Sequence, residues 1–243
     1  MTSVLTPAPA RVDPATVLAA LDTVLDPELD EPITALDFVE SCEVDDDGSV
    51  RVRLRLPTFF CAPNFSFLMV ADAYDAVHAV AGVGAVDVQL ADHHAAQEIN
   101  GGVAAHAGFV ATFAGEATDE LHELRARFLA KAALAGQDRV ARPLVDAGAT
   151  PQQLADMSLG QVPDSVDLRR LRERRAALGL PAGDDAPLLV RVEDGNPVPV
   201  EQVPLHLRRA RLTRTGIEVN GEHCRSLLAT RYAMASGNPT APT

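Results

Sequence analysis

The spacing of the hydrophobic residues changes several times along the first third of the chain, and each change predicts a new element. Residues 13–25 place Val and Leu at helical spacing behind an Asp-Pro pair, which is typical of a helix start. Apolar and polar residues alternate partly in residues 36–44 and strictly in 50–56 and 85–90, as they do in half-buried strands. Residues 65–80 return to helical spacing and stop at a Gly-Val-Gly break.

This order of helix, strand, strand, helix and strand predicts an α+β fold, a small sandwich in which a three-stranded sheet carries both helices on one face. An Asp-Gly pair at residues 47–48 is a strong hairpin signal between the first two strands. The helix between the second and third strands is expected to cross over in the right-handed sense, which makes those two strands parallel. The domain is predicted to span residues 13–92.

The remaining chain is predicted to be mainly helical. Residues 93–115 begin with a His/Glu cluster and become Gly/Ala-rich, so a linker is expected there. Residues 116–235 repeat at helical spacing in several blocks, with one short hairpin predicted at 188–203. Residues 1–12 and 236–243 are small, polar or Pro-rich and are predicted to be disordered tails.

Local signals divide the helical region further. One helix is expected to begin after residue 116 and a separate one to cover 140–147, and Thr-Pro-Gln-Gln at 150–153 is a capping sequence for a third. The helix predicted at 167–178 is either a solvated face or a surface for an acidic partner, such as the acidic first domain of this chain. It carries five arginines: Arg169, Arg170, Arg172, Arg174 and Arg175.

Charge is distributed unevenly along the chain. Residues 1–110 hold 17 Asp and Glu against 4 Arg, whereas residues 111–243 hold 17 of each sign, and the net charge is −13. An acidic first half disfavours nucleic acid and anionic membranes as partners and suits a cation or a basic protein surface, although solubility alone is the alternative explanation. No stretch approaches the roughly 18 apolar residues of a membrane span. With no secretory signal and three cysteines, an odd number, a cytoplasmic location is expected.

Cys61 lies where the alternating strand 50–56 ends and the next helix is predicted to begin. The first N–H groups of a helix have no partner within the helix and favour a nearby anion, so this position suits a reactive or metal-binding thiolate. The alternative is that Cys61 packs as a small apolar residue beside Phe59 and Phe60.

Two further groups carry candidate chemistry. His93, His94 and Glu98 are of the residue types that bind iron or zinc, and His94 and Glu98 would share a helix face; an exposed loop or helix cap is the alternative. Cys224 follows His223 and an Asn-Gly pair, where another helix is predicted to begin, and is a second candidate thiol.

Several separated motifs in the first domain resemble the MIP18-like family, which includes iron–sulfur assembly factors and accessory proteins of phenylacetate degradation. The resemblance covers residues 14–91. It departs from the family in having Leu-Asp at 36–37 for Leu-Gly and Cys-Ala-Pro at 61–63 for Cys-Pro. The motifs are Asp26-Pro27-Glu28-Leu29, Ile33 and Leu36, the hairpin, Thr58-x-x-Cys61, Asp72 and Gly82-Val83-x-x-Val86-x-Val88-x-Leu90.

The resemblance implies an accessory protein that matures an iron–sulfur or other iron-containing client enzyme. Cys61 would be its functional thiol, supported by Asp26, Glu28 and Thr58, and would carry iron or an iron–sulfur cluster transiently. The long form resembles proteins associated with bacterial diiron monooxygenases of the propane type, which implies a diiron hydroxylase as client. A cluster takes about four protein ligands, so further ligands would come from a homodimer partner, the His93–Glu98 segment or the client.

Two other functions fit the sequence. One is a chaperone that binds the client through protein contacts alone, with Cys61 merely packed. The other is a metal-dependent enzyme that uses His93, His94 and Glu98. The sequence contains no phosphate-binding loop, dinucleotide fingerprint, Gly-x-Ser-x-Gly elbow or Cys-x-x-Cys pair, so an enzyme is not expected.

Overall fold

The computed structural model describes residues 12–235, so the tails predicted at 1–12 and 236–243 lie outside the described residues, except for Val12, which is buried. The chain forms two compact units. The sheet unit comprises residues 12–27, Glu31–Leu121 and residues 222–235, and the helical unit comprises Glu28–Asp30 and His122–Gly221. No helix of the described part is both long and apolar enough to cross a membrane.

The sheet unit contains the predicted order of helix, strand, strand, helix and strand. One prediction differs, because α1 ends at Leu21 and is followed by a small hairpin of two strands, each two residues long, that encloses most of the Asp-Pro-Glu-Leu motif. Its elements are α1 (Pro14–Leu21), β1 (Leu25–Asp26), β2 (Glu31–Pro32), β3 (Val39–Val44), β4 (Val50–Leu54), α2 (Pro63–His78) and β5 (Val86–Leu90).

The three longer strands form the predicted sheet, in the order β3-β4-β5. β3 pairs with β4 in antiparallel fashion, and β4 pairs with β5 in parallel, as expected for a crossover through α2. β4 alternates as its sequence predicts, with its Val and Leu side chains buried and Arg51 and Arg53 exposed. Arg51 pairs with Glu43 and Asp45, and Arg53 pairs with Glu40, so this arginine face is a solvated, locally paired surface.

Residues 93–115, expected to be a linker, instead form two helices of the sheet unit, α3 (Ala96–Ala104) and α4 (Phe109–Thr112). The Gly/Ala composition serves close packing. A Cβ atom at Gly102 would lie 2.1 Å from Thr112 Oγ1, so only glycine lets α3 approach α4 this closely. Ile99 is fully buried in the same helix, which gives the segment its own apolar anchor.

The helical unit is built from α5 (His122–Asp146), α6 (Pro151–Asp156), α7 (Val166–Ala177) and residues 203–221 of α8 (Val203–Ala235); residues 222–235 of α8 belong to the sheet unit. The capping box of α6 is present as predicted, with Thr150 and Gln153 bonded to each other's backbone. The two helices expected between 116 and 147 form one helix, α5. The buried core of this unit includes Val140, Leu154, Leu159, Leu171, Leu188 and Leu189.

Two predictions for the last 60 residues are wrong in part. The hairpin at 188–203 reduces to one antiparallel bridge between Val190 and Pro197, after which Val200–Gln202 form a 3-10 turn. Prolines at 199 and 204 explain the difference, since proline has no N–H for a strand but fits a helix start. The helix start predicted before Cys224 does not exist, because α8 runs through this position without a break.

Candidate functional site

Cys61 lies at the junction that the sequence predicts, between the end of β4 and the start of α2. The preceding Pro57 is buried, Ala62 is the N-cap of α2 in an extended conformation, and Pro63 is its first residue. Cys61 itself is half-buried and is not in a disulfide. The thiol is thus held on the turn between strand and helix, and Cys61 keeps part of its surface exposed.

Thr58 is the side chain hydrogen-bonded to this thiol. Its Oγ1 lies 3.3 Å from Cys61 Sγ, a bond in which either atom can donate. A thiolate sulfur can only accept, so in that form the hydroxyl of Thr58 donates to it. The Thr-x-x-Cys spacing therefore has a physical role, because two residues three positions apart meet across this turn and the hydroxyl faces the sulfur.

His93 joins the end of β5 to the same junction. Its Nε2 lies 2.7 Å from the Cys61 carbonyl oxygen, and its Nδ1 accepts a hydrogen bond from Ala95 N at 3.1 Å. Since Nδ1 accepts, the proton of the neutral ring is on Nε2, which donates to the carbonyl. The histidine fixes the backbone that carries the thiol, and both of its nitrogens are occupied in doing so.

The environment of His93 keeps the ring neutral. Burial lowers the pKa of His93 below its ordinary value, and the neighbouring His94 and Arg231 act in the same direction, while the hydrogen bond to the Cys61 carbonyl opposes them. A neutral ring is the form that can donate through Nε2 and accept through Nδ1 together. The charge state and the geometry therefore agree.

This lowered pKa predicts a pH dependence of stability. Below about pH 6.5 an unfolded chain protonates His93 while the folded protein resists, so the free energy of unfolding falls as the pH drops. In a His93→Gln protein, the loss of unfolding free energy between pH 7 and pH 5.5 is expected to shrink, by at most about 1.4 kcal/mol per pH unit. Guanidinium unfolding followed by circular dichroism measures this.

The matched control for this prediction is His94→Gln, which changes the adjacent, exposed histidine. His206 in the helical unit also has a pKa lowered by burial, so part of the pH dependence remains in both proteins. An equal pH dependence in the wild type and the His93→Gln protein would contradict the assignment.

Arg231 of α8 ties together the two chain segments that lead to Cys61 and His93. Its Nη1 donates to Leu56 O at 2.9 Å, and its Nη2 donates to Asp92 O and lies 2.6 Å from Asp92 Oδ2. Asp92 has a φ of +53°, a conformation that this clamp helps to hold. No sequence signal identifies Arg231, because it is an isolated arginine on a helix far along the chain.

The candidate metal ligands are near one another along the chain but do not form a ligand set. His94 is exposed and its ring contacts Phe60, with centroids 5.7 Å apart, and Glu98 is exposed on α3. Within residues 12–235 no group of three or more His, Cys, Asp and Glu side chains is arranged to hold a metal ion.

The other predicted site residues are placed as follows. Asp26 is buried in β1, whereas Glu28 is half-buried and belongs to the helical unit. Cys42 lies in β3, where burial raises the pKa of its thiol and disfavours the thiolate. Cys224 lies within α8, away from any helix start.

Comparison with known proteins matches the part of the chain that carries this junction. Residues 14–88, from α1 into β5, match the family described as iron-sulfur cluster assembly protein. An uncharacterized protein of Methanocaldococcus jannaschii is 33% identical over 84 residues, which cover 35% of this chain and 86% of that protein. Through the domain that holds Thr58 and Cys61, the chain belongs to the iron–sulfur cluster assembly protein family.

Proposed function

We propose that this protein holds an iron–sulfur cluster or its iron through Cys61 and passes it to an iron-containing client enzyme. The observation that carries the proposal is the Cys61 junction, a half-exposed thiol fixed by Thr58 and by the backbone bond from His93. Membership of the assembly family supports cluster or iron chemistry as the context for this thiol.

The cluster is cargo in this proposal, and its transfer is a ligand exchange. The bond between an iron atom and the Cys61 thiolate breaks, and a bond between that iron atom and a client thiolate forms. The proton released by the client thiol passes to the departing Cys61 sulfur, and no electrons are transferred. Thr58 assists because its hydroxyl can donate to the sulfur whenever the sulfur is anionic.

The remaining ligands are supplied from outside the chain. Clusters take about four protein ligands, mostly cysteine thiolates. Cys42 lies in β3 and Cys224 in α8, and the two ring nitrogens of His93 are already bonded. A second copy of this chain, or the client itself, would complete the coordination, and a client that does so receives the cargo directly.

The test uses the full-length protein. After anaerobic reconstitution with ferrous iron and sulfide and removal of small molecules, we expect an iron–sulfur absorbance band and cluster transfer to an apo-ferredoxin in the presence of an iron chelator. An apo diiron hydroxylase in a parallel reaction distinguishes cluster delivery from iron delivery. Acceptor maturation no faster than with free iron and sulfide, or abolished by the chelator, would overturn the proposal.

A further inference from the structure

We propose that a groove next to Cys61 is the docking site for the client, and that it receives an apolar side chain flanked by Lys or Arg. The inference rests on the proposed function and adds where the partner binds and what chemistry it presents. The groove has a volume of about 520 Å³ and lies entirely within the sheet unit. Its apolar walls include Pro63, Ala95, Phe109 and Phe113, and Glu98 and Glu116 also line it.

The position of the groove relates it to the thiol. Its lining includes Ala62 and Pro63, the two residues that directly follow Cys61 in the chain. Phe59 and Phe60 precede Cys61, their rings are 5.0 Å apart, and they are 43% and 77% exposed. The Phe60 ring lies 5.7 Å from the ring of His94, which lines the groove, so the aromatic pair borders the groove. Protein interfaces bury exposed apolar features of this kind, and aromatic side chains often dominate the binding energy there.

The groove is a formed feature of the unit. Glu120 accepts hydrogen bonds from Phe109 N and Val110 N at 2.9 and 3.3 Å, which fixes the start of α4. The close approach at Gly102 sets the spacing between α3 and α4. The Phe109 ring packs at 5.6 Å against the buried Phe67, so the apolar wall is anchored in α2. A partner therefore meets a surface already in its binding shape, which reduces the entropy lost on binding.

Charge identifies the partner. Residues 12–27, 31–121 and 222–235 contain 19 Asp and Glu and 5 Arg. Each of those arginines pairs with a carboxylate elsewhere: Arg51, Arg53, Arg55, Arg225 and Arg231. Within the described part of the chain, no ion pair engages Glu98 or Glu116. An apolar groove with unpaired carboxylates in an acidic unit selects a basic segment, and such steering weakens with salt.

The first experiment selects peptides that bind to the groove. A displayed library of random peptides is selected on the full-length protein and counter-selected on the Phe60→Ser/Glu98→Gln protein. We expect the enriched peptides to share an aliphatic or aromatic residue flanked by Lys or Arg. Enrichment of acidic peptides, or no enrichment after the counter-selection, would overturn the proposed partner.

Binding of an enriched peptide is then measured by fluorescence anisotropy. Phe60→Ser is expected to raise Kd at least tenfold, and Glu98→Gln with Glu116→Gln to reduce the dependence of Kd on salt. Leu212→Ser is the matched control, because Leu212 is 75% exposed but lies in the helical unit. Equal Kd values for the wild type and the Phe60→Ser protein would overturn the site. A dimer in sedimentation that Phe60→Ser dissociates would make a second copy of this chain the occupant instead.

Transfer kinetics separate this inference from the proposed function. Phe60→Ser is expected to raise the KM for the acceptor at least tenfold while the reconstituted cluster and kcat stay unchanged. A lower kcat in the Phe60→Ser protein, with KM unchanged, would contradict a docking role for Phe60. If the wild type holds no cluster yet binds the selected peptides through Phe60, the docking site stands and the thiol proposal fails.

Discussion

A Cys61→Ser protein is expected to keep its fold and lose cluster transfer. Serine is close in size, and Cys61 is half-buried in the turn between β4 and α2, so the packing of the sheet unit changes little. A serine hydroxyl does not ionise near neutral pH and is a poor ligand for iron, so the bond between residue 61 and the iron is lost. After reconstitution, the rate of acceptor maturation in the presence of the chelator should fall to the rate seen with free iron and sulfide, a loss of about 100-fold or more.

The other two cysteines provide matched controls for this prediction. Cys42→Ser and Cys224→Ser remove thiols that lie within a strand and a helix, and both proteins are expected to transfer as the wild type does. Thr58→Val removes only the hydroxyl that bonds the sulfur, so a loss of up to about tenfold is expected, from a hydrogen bond worth about 0.5–1.5 kcal/mol. Client maturation that survives Cys61→Ser would contradict the thiol role and favour a chaperone that acts through protein contacts alone.

The sheet could be predicted because each of its elements has a pattern that is visible within a short stretch of sequence. The alternation in β4 and the hairpin signal that follows β3 depend on residues a few positions apart, so periodicity is enough to find them. The Cys61 junction is a boundary between two such patterns. Its location and the neighbouring Thr58 therefore follow from the chain alone, although the hydrogen bond between them does not.

The remainder of the site could not be predicted because its contacts join distant positions. The bond from His93 to the Cys61 carbonyl spans 32 residues and the one from Arg231 to Leu56 spans 175. Neither leaves a periodic signal. The two histidines at 93 and 94 resemble a metal motif in sequence, yet the structure gives the first a backbone partner on each ring nitrogen and leaves the second exposed.

Composition misled where small residues pack closely. A Gly/Ala-rich stretch is typical of a linker, but at Gly102 the missing side chain is what permits α3 and α4 to touch. The Asn-Gly pair before Cys224 resembles a helix boundary, but Gly221 is buried inside α8. Glycine disfavours a helix interior by about 1 kcal/mol, which the packing of a long helix can offset.

An Arg174→Met protein is expected to be strongly destabilised at neutral pH, with the loss centred on the helical unit. The arginine helix was expected to be solvated or to face an acidic partner, but Arg174 is buried and its Nε lies 2.6 Å from Asp30 Oδ1 in the same unit. Both side chains are only 5% exposed. Removing the guanidinium leaves a buried carboxylate with only the more distant Arg139, at 3.8 Å, so a loss of about 3–5 kcal/mol is expected.

The pH dependence of this effect identifies its cause. Burial raises the pKa of Asp30, and the guanidinium of Arg174 opposes that rise. Without Arg174 the pKa of Asp30 rises further, so the folded variant takes up this proton at a higher pH than the folded wild type, and the destabilisation by Arg174→Met should shrink as the pH falls from 7 toward 5. Adding Asp30→Asn should recover much of the loss at pH 7, since the amide carries no charge to desolvate.

Guanidinium unfolding by circular dichroism, with hydrogen exchange of α7 to locate the change, measures the free energy of unfolding of each protein. Arg169→Met is the matched control on the same helix, because the Arg169–Asp164 pair is more than half exposed and should be worth at most about 1 kcal/mol. An Arg174→Met protein as stable as this control, or one whose deficit grows toward acid pH, would contradict a charge left unpaired in the interior. A loss of unfolding free energy that follows the ionisation of Asp30 makes Arg174 a structural residue. An acidic partner of α7 would then contact the exposed arginines of this helix and not Arg174.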